Sequence, residues 1–125
     1  MKLFLDTHVI IWLYQRNKKP FSKNALKLLD LAELYFPSIS FLEISFLNQL
    51  GKINFTAIEA QSDLTSNVNI VFARTDTFDL SKEASTMVWT RDPFDRLITA
   101  EASFHQAKLL TKDKLILKNY DNATW

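Results

Sequence analysis

The sequence predicts an α/β fold in which helices cover both faces of a central, mostly parallel sheet. Short apolar runs of strand character alternate with longer stretches of helical periodicity almost throughout, and parallel neighbours need such crossover segments. At 125 residues the chain has the size of one domain, 1–125, and folding can bury roughly two-thirds of the surface that the unfolded chain exposes. A hydrophobic share of 47% with ten Phe, three Trp and three Tyr, against 23% charged residues, excludes a disordered chain.

Taken in order, "KLFLD" reads as a strand ending in a carboxylate, and "THVIIWLY" as a helix before the turn "QRNKKP". Ser22 opens a second helix, "SKNALKLLDLAEL", with Ala25, Leu28, Leu29 and Ala32 on one stripe; "YFPSIS" follows as a strand-like segment. Ser40 begins "SFLEISFLNQLG", a helix with a broad apolar face that stops at Gly51, the only glycine in the chain. Thr56 and Glu59 form an N-cap pattern for a helix running to about Asn67, "NIVFA" is β-like, and residues from about Asp76 to Met87 are helical. Pro93 starts "PFDRLITAEASFHQA", "KLLT" is a short strand, and "DKLILKNY" a short helix before a polar tail ending in Trp125.

Composition narrows the chemistry. Without cysteine there is neither a disulfide framework nor a thiolate zinc site, so any metal is held by oxygen or imidazole, and the cytoplasm is the expected compartment. The apolar opening "MKLFLDTHVIIWLYQ" is interrupted by Asp6 and His8 and no small-residue cleavage site follows it, which argues against a signal peptide; no segment has the length of a membrane span. A net charge of +1 neither demands nor excludes a polyanionic partner.

In open α/β sheets ligands gather at the carboxyl ends of the strands, so acids just after strands are the candidate site: Asp6, Glu43, Asp92, Asp95 and Asp113. Asp6 ends the first strand, Glu43 and Asp95 each lie one turn into a helix, and Asp113 follows "LLT". Brought together without counterions they repel: one like-charged pair at about 4 Å costs on the order of 4 kcal/mol at an effective dielectric near 20. A fold stable by roughly 5 to 15 kcal/mol tolerates such a cluster only when something neutralises it, and hard divalent cations do so. Each acid also has a structural reading. Ser40 and Glu43 fit a capping box, Asp113 can cap its short helix, and Asp6 can serve as a turn residue. Asp92, followed by Pro93 at the first helical position, is suited to N-cap its helix and to reach the site only through water.

The segments "LFLDTHVIIWL", "SISFLEI" with "LGKI", "RDPFDRLITAEA" and "LLTKD" resemble, in order and spacing across nearly the whole chain, the PIN-domain family, with the nearest likeness to the VapC-type ribonuclease toxins of prokaryotic toxin–antitoxin pairs. The resemblance implies a three-layer α/β/α sandwich and divalent-metal-dependent cleavage of RNA by an acidic cluster. It also implies a small cognate antitoxin and a homodimer. By motif, Asp6 matches the first-strand aspartate, Glu43 the glutamate of "S-x-x-E-I", Asp95 the aspartate before "LI-x-A", and Asp113 the aspartate after "LLTK". Leu42 stands where similar sequences often carry Trp, and Thr90 where they often carry His; neither departure removes a carboxylate.

The expected mechanism makes Asp6 and Asp95 the principal Mg²⁺ or Mn²⁺ ligands, with Glu43 and Asp113 completing the site directly or through water. Attack by a metal-activated water then leaves a 5′-phosphate and a 3′-hydroxyl. Hydroxyls of Thr7 and Thr111 are placed to orient the carboxylates, though ordinary turn hydrogen bonds explain them equally. Arg96 and the lysines Lys108, Lys112, Lys114 and Lys118 lie near the acids in sequence and are candidates to hold RNA phosphates; solvated helix faces explain the lysines as well. His8 and His105, each lacking a partner at ligand spacing, are not assigned to the site. Trp12, Tyr14, Phe41, Phe46 and Leu47 are core residues or the lining of a partner groove. The competing functions are a PIN-like RNA-binding or regulatory module without catalysis and a metal-dependent phosphatase-like hydrolase.

Overall fold

A computed structural model describes all residues, 1–125. The elements run β1 (Lys2–Leu5), α1 (Thr7–Tyr14), α2 (Lys23–Leu31), β2 (Glu33–Phe36), α3 (Ser40–Gln49) and α4 (Ala57–Asn67). They continue with β3 (Ile70–Phe72), α5 (Thr77–Ser85), α6 (Pro93–Phe104), β4 (Lys108–Leu110), α7 (Lys114–Asn119) and β5 (Ala123–Thr124). The five strands form one sheet in the order β3-β2-β1-β4-β5, and every pairing is parallel.

Strand alternation divides the apolar residues between two cores. On β1, Leu3 and Leu5 face a core shared with Val9 and Ile10 of α1, Ala25 of α2, Ile44 of α3 and Leu64 of α4. Phe4 points to the opposite face and packs with Ile98 and Ala102 of α6 and Ile116 of α7. A third, smaller cluster joins Ala84 and Met87 to Ala100 beneath α5 and α6. Helices α1 to α4 therefore cover one face and α5 to α7 the other, the expected α/β/α sandwich.

The chain builds outward from β1 to β2 to β3, then returns to place β4 on the other side of β1. The strand order thus reverses between β1 and β4, and at such a switch point the loops leaving the two strands part and open a crevice. Asp6 and Thr111, the residues that follow β1 and β4, stand at that crevice.

Several expected boundaries differ. The second helix stops at Leu31, short of the expected Leu34, and the strand is Glu33–Phe36 where 35–40 was expected. Pairing of Lys2, Leu3 and Phe4 with Glu33, Leu34 and Tyr35 outweighs the helix preference of "AEL", and Leu34 and Phe36 are buried by it. Pro37 ends the strand, since a proline has no N–H for the ladder. The tail expected to be irregular contributes β5, whose neighbouring backbone bonds, Leu109 N–H to Asn122 and Thr111 N–H to Thr124, attach it to β4. Gly51 does follow α3, with φ of +73° that suits glycine.

Candidate active site

Five carboxylates line one open cavity of about 420 Å³ at the switch point: Asp6, Glu43, Asp92, Asp95 and Asp113, together with His8, Trp12 and Lys112. All five acids expected from the sequence are therefore brought together.

Asp6 is 7% exposed and N-caps α1. Its Oδ1 accepts from the Thr7 N–H at 2.7 Å and its Oδ2 from the Thr111 hydroxyl at 2.6 Å. Burial pushes its carboxyl above the ordinary range, against the opposing pull of those two hydrogen bonds. Thr111 also accepts from the Asp113 N–H at 3.0 Å, so one hydroxyl links the acids that follow β1 and β4.

Glu43 sits in the first turn of α3, pushed up by burial and by the Asp6 and Asp92 charges, with Thr7 and His8 opposing. The Thr7 hydroxyl nevertheless donates its hydrogen bond to Ser40 Oγ at 3.1 Å, and Glu43 Oε1 is buried without a partner. The capping box considered for Ser40 is not formed: Ser40 is fully buried inside the helix and α3 has no side-chain cap. Its hydroxyl serves the long-range contact to Thr7.

Asp95, in the first turn of α6, is pushed up to about 7, first by burial and then by the charges of Asp92, Asp6, Asp113 and Glu43. Asp92 N-caps the same helix, with Oδ1 accepting from the N–H groups of Phe94 at 2.8 Å and Asp95 at 3.3 Å. Asp113 caps α7 in the same way, through Oδ1 and the N–H groups of Leu115 and Ile116, both at 2.9 Å. Asp92 and Asp113 are thus locally equivalent, and the division between a structural Asp92 and a chemical Asp113 does not rest on their capping roles.

The basic residues divide sharply. Lys112 lines the cavity, whereas Lys114 and Lys118 are exposed on α7. Lys108 lies at the opposite end of the sheet beside Met1, Lys2 and His105, because it begins β4 while the acids follow strand ends. Arg96 is a brace: its Nε donates to the Thr90 carbonyl at 2.6 Å, and it does not line the cavity. His105 bonds Thr75 Oγ1 at 2.8 Å and stacks on Phe4, a structural position.

Sequence reasoning left out His8, which lies on the cavity wall, where a protonated imidazole favours ionised Asp6 and Glu43. Its signal was its place one residue into the helix that Asp6 caps. Trp12, one helical turn further, lines both this cavity and a separate apolar cleft of about 300 Å³ with Leu13, Phe21 and Leu29. Tyr14, Phe41 and Leu47 pack partly against the main core; Phe46 is 45% exposed and meets the Phe94 ring at 6.0 Å.

The donor set suits a hard cation: its carboxylate oxygens lack a compensating ion pair, and Glu43 Oε1 has no hydrogen-bond partner. As the side chains stand, no three of them converge at metal-ligating geometry.

The PIN-domain profile matches residues 3–122. The chain belongs to the PIN-domain family. PIN domains are in general nucleases, and the acid cavity lies within the matched segment. No curated protein matches the chain in sequence. In fold, this PIN domain is similar to VapBC2 from Rickettsia felis, solved bound to a DNA fragment from its promoter (TM-score 0.67, 15% identity, covering 98% of this chain and 96% of that one). It is also similar to VapBC-1 from nontypeable Haemophilus influenzae (TM-score 0.64, 22% identity, covering 100% of this chain and 96% of that one).

Proposed function

We propose that this PIN domain is a divalent-metal-dependent ribonuclease that acts as the toxin of a toxin–antitoxin pair. The observation that carries the reading is the convergence of five carboxylates from distant segments on one cavity, where burial and, after it, the neighbouring carboxylate charges push Asp95 up to about 7. Such an arrangement is unfavourable for a metal-free protein and is relieved by a cation.

Asp6 and Asp95 would hold Mg²⁺ or Mn²⁺, with Glu43 and Asp113 completing the site directly or through water. When bound, the cation supplies charge stabilisation at the scissile phosphate and lowers the pKa of an attacking water. The chain's own contribution is orientation. Thr111 and the Thr7 N–H fix both oxygens of Asp6, Asp92 holds the first turn of α6 that carries Asp95, and Lys112 offers a cation to a substrate phosphate at the rim.

The toxin assignment draws on the likeness in fold to the two VapBC structures. A small cognate antitoxin is the proposed protein partner, and the cytoplasm the proposed compartment; no helix of the chain is long and apolar enough to cross a membrane. Leu42 and Phe46 of α3 and Leu50 at its C-cap recur at four-residue intervals and are exposed, and we assign this apolar stripe to a homodimer contact.

The deciding experiment is cleavage of RNA by purified protein with Mg²⁺ or Mn²⁺, with EDTA, and for Asp6→Asn and Asp95→Asn. Metal-dependent cleavage lost in both variants is expected. Undiminished cleavage in EDTA sinks the reading, and turnover of a small phosphomonoester without RNA cleavage supports a phosphatase-like hydrolase instead.

A further inference from the structure

Apart from Asp6, Glu101 is the only buried acid, at 1% exposure, and it lies outside the acid cavity. Burying a carboxylate is unfavourable unless its oxygens are bonded, and both are. Oε1 accepts from the Ser38 N–H at 2.7 Å and Oε2 from the Ser38 hydroxyl at 2.8 Å. No basic side chain pairs with it; the single ion pair of the chain is Arg16 with Asp63.

Ser38 belongs to the turn between β2 and α3, two residues before the helix begins. That helix has Ile39 at its N-cap position, whose side chain offers no acceptor, and the Ser40 hydroxyl is engaged with Thr7, so the first turn has no side-chain cap. Its first turn carries Glu43, and an uncapped first turn is the part of a helix most prone to fray. Glu101 lies six residues beyond Asp95 on α6. The two bonds to Ser38 are the only hydrogen bonds joining α6 to the β2–α3 turn or to α3. One rigid helix therefore presents Asp95 to the cavity directly and anchors the segment that presents Glu43.

We propose that Glu101 is a positioning residue that clamps the Ser38 turn and thereby sets Glu43 against Asp95. The inference rests on the metal-site reading given above. It requires hydrogen bonding at position 101 and does not require charge.

Mn²⁺ affinity of the full chain tests it through a double-mutant cycle. Glu101→Gln keeps both partners, its amide oxygen accepting from the Ser38 N–H and its amide nitrogen donating to the hydroxyl, and is expected to bind within about twofold of wild type. Glu101→Leu is expected to weaken binding on the order of tenfold, as does Glu43→Gln, with the double variant no weaker than Glu43→Gln alone. Wild-type affinity in Glu101→Leu, or an equal further loss in the Glu43→Gln background, overturns the proposal.

If Glu101→Leu does not fold, Ser38→Ala removes the hydroxyl bond alone and enters the same cycle with a roughly threefold loss expected; no loss overturns it. Wild-type protein that binds no Mn²⁺ refutes the metal site itself. Amide exchange from Ser40 to Glu43 in metal-free protein then decides the clamp. It is expected to be faster in Glu101→Leu or Ser38→Ala and unchanged in Glu101→Gln, and unaltered exchange in all of them overturns the clamp.

Discussion

At the residue scale the site is a set of carboxylates held in conflict, and Asp95 carries most of it. Its folded pKa of about 7 lies above the ordinary 3.8, so the metal-free folded state binds this proton more tightly than the unfolded chain does. The stability that this proton contributes is therefore fully present below about pH 4 and is lost as pH rises through about 7. Asp95→Asn should flatten that slope and leave metal-free protein more stable at pH 8, on the order of 1 kcal/mol once solvent screening of a half-open carboxylate is allowed for. Urea melts of the two proteins at pH 5 and pH 8 check this, and a clear loss of stability in the variant would mark Asp95 as structural. Thr111→Val removes the hydroxyl that fixes Asp6 Oδ2 and supports the Asp113 N–H. It should lower Mn²⁺ affinity by about tenfold or more, read by calorimetric titration.

Among the elements, helix starts separate what is local from what is not. Ser22, Thr56 and Asp92 cap the helices they were expected to cap, since a cap bonds N–H groups two or three residues ahead and needs nothing else. Ser40 has the same sequence pattern and does not cap: α3 takes Ile39 as its N-cap, and the Ser40 hydroxyl, buried inside the helix, instead meets Thr7 from a segment 33 residues away. The capping geometry also sharpens the question of Asp92 and Asp113. Asparagine caps as well as aspartate, so Asp92→Asn and Asp113→Asn each keep the cap and remove one charge. If Asp113 is the ligand proposed here, Asp113→Asn weakens metal binding about tenfold while Asp92→Asn changes it less than about threefold. The reverse order would exchange their roles. Asp92→Ala, which loses the cap as well, should cost about 1 kcal/mol in a thermal melt.

For the whole molecule, strand order places the chemistry. Asp6 and Asp113 are more than a hundred residues apart, and β4 inserted beside β1 brings the ends of the two strands to one crevice. Even β5 contributes, because the Thr124 carbonyl accepts from Thr111 and so steadies the residue that orients Asp6. A cation that binds only the folded state should stabilise the molecule by about 2.7 kcal/mol at a hundred times its Kd. A melting temperature raised by Mn²⁺, restored by EDTA and unmoved in Asp6→Asn is the expected result.

The sequence by itself determined the alternation of strands and helices, most of the caps, and which acids follow strand ends, because each depends on periodicity or on groups a few residues apart. It also carried the motifs that resemble PIN domains. Tertiary structure decided the rest: the start of β2, the existence of β5, the removal of Lys108 to the far end of the sheet, and the diversion of Arg96 to a carbonyl. It also admitted His8 to the cavity wall and bound Glu101 to Ser38. Each of these turns on a partner distant in sequence, and the energy of pairing or of satisfying a buried polar group is decided by that partner.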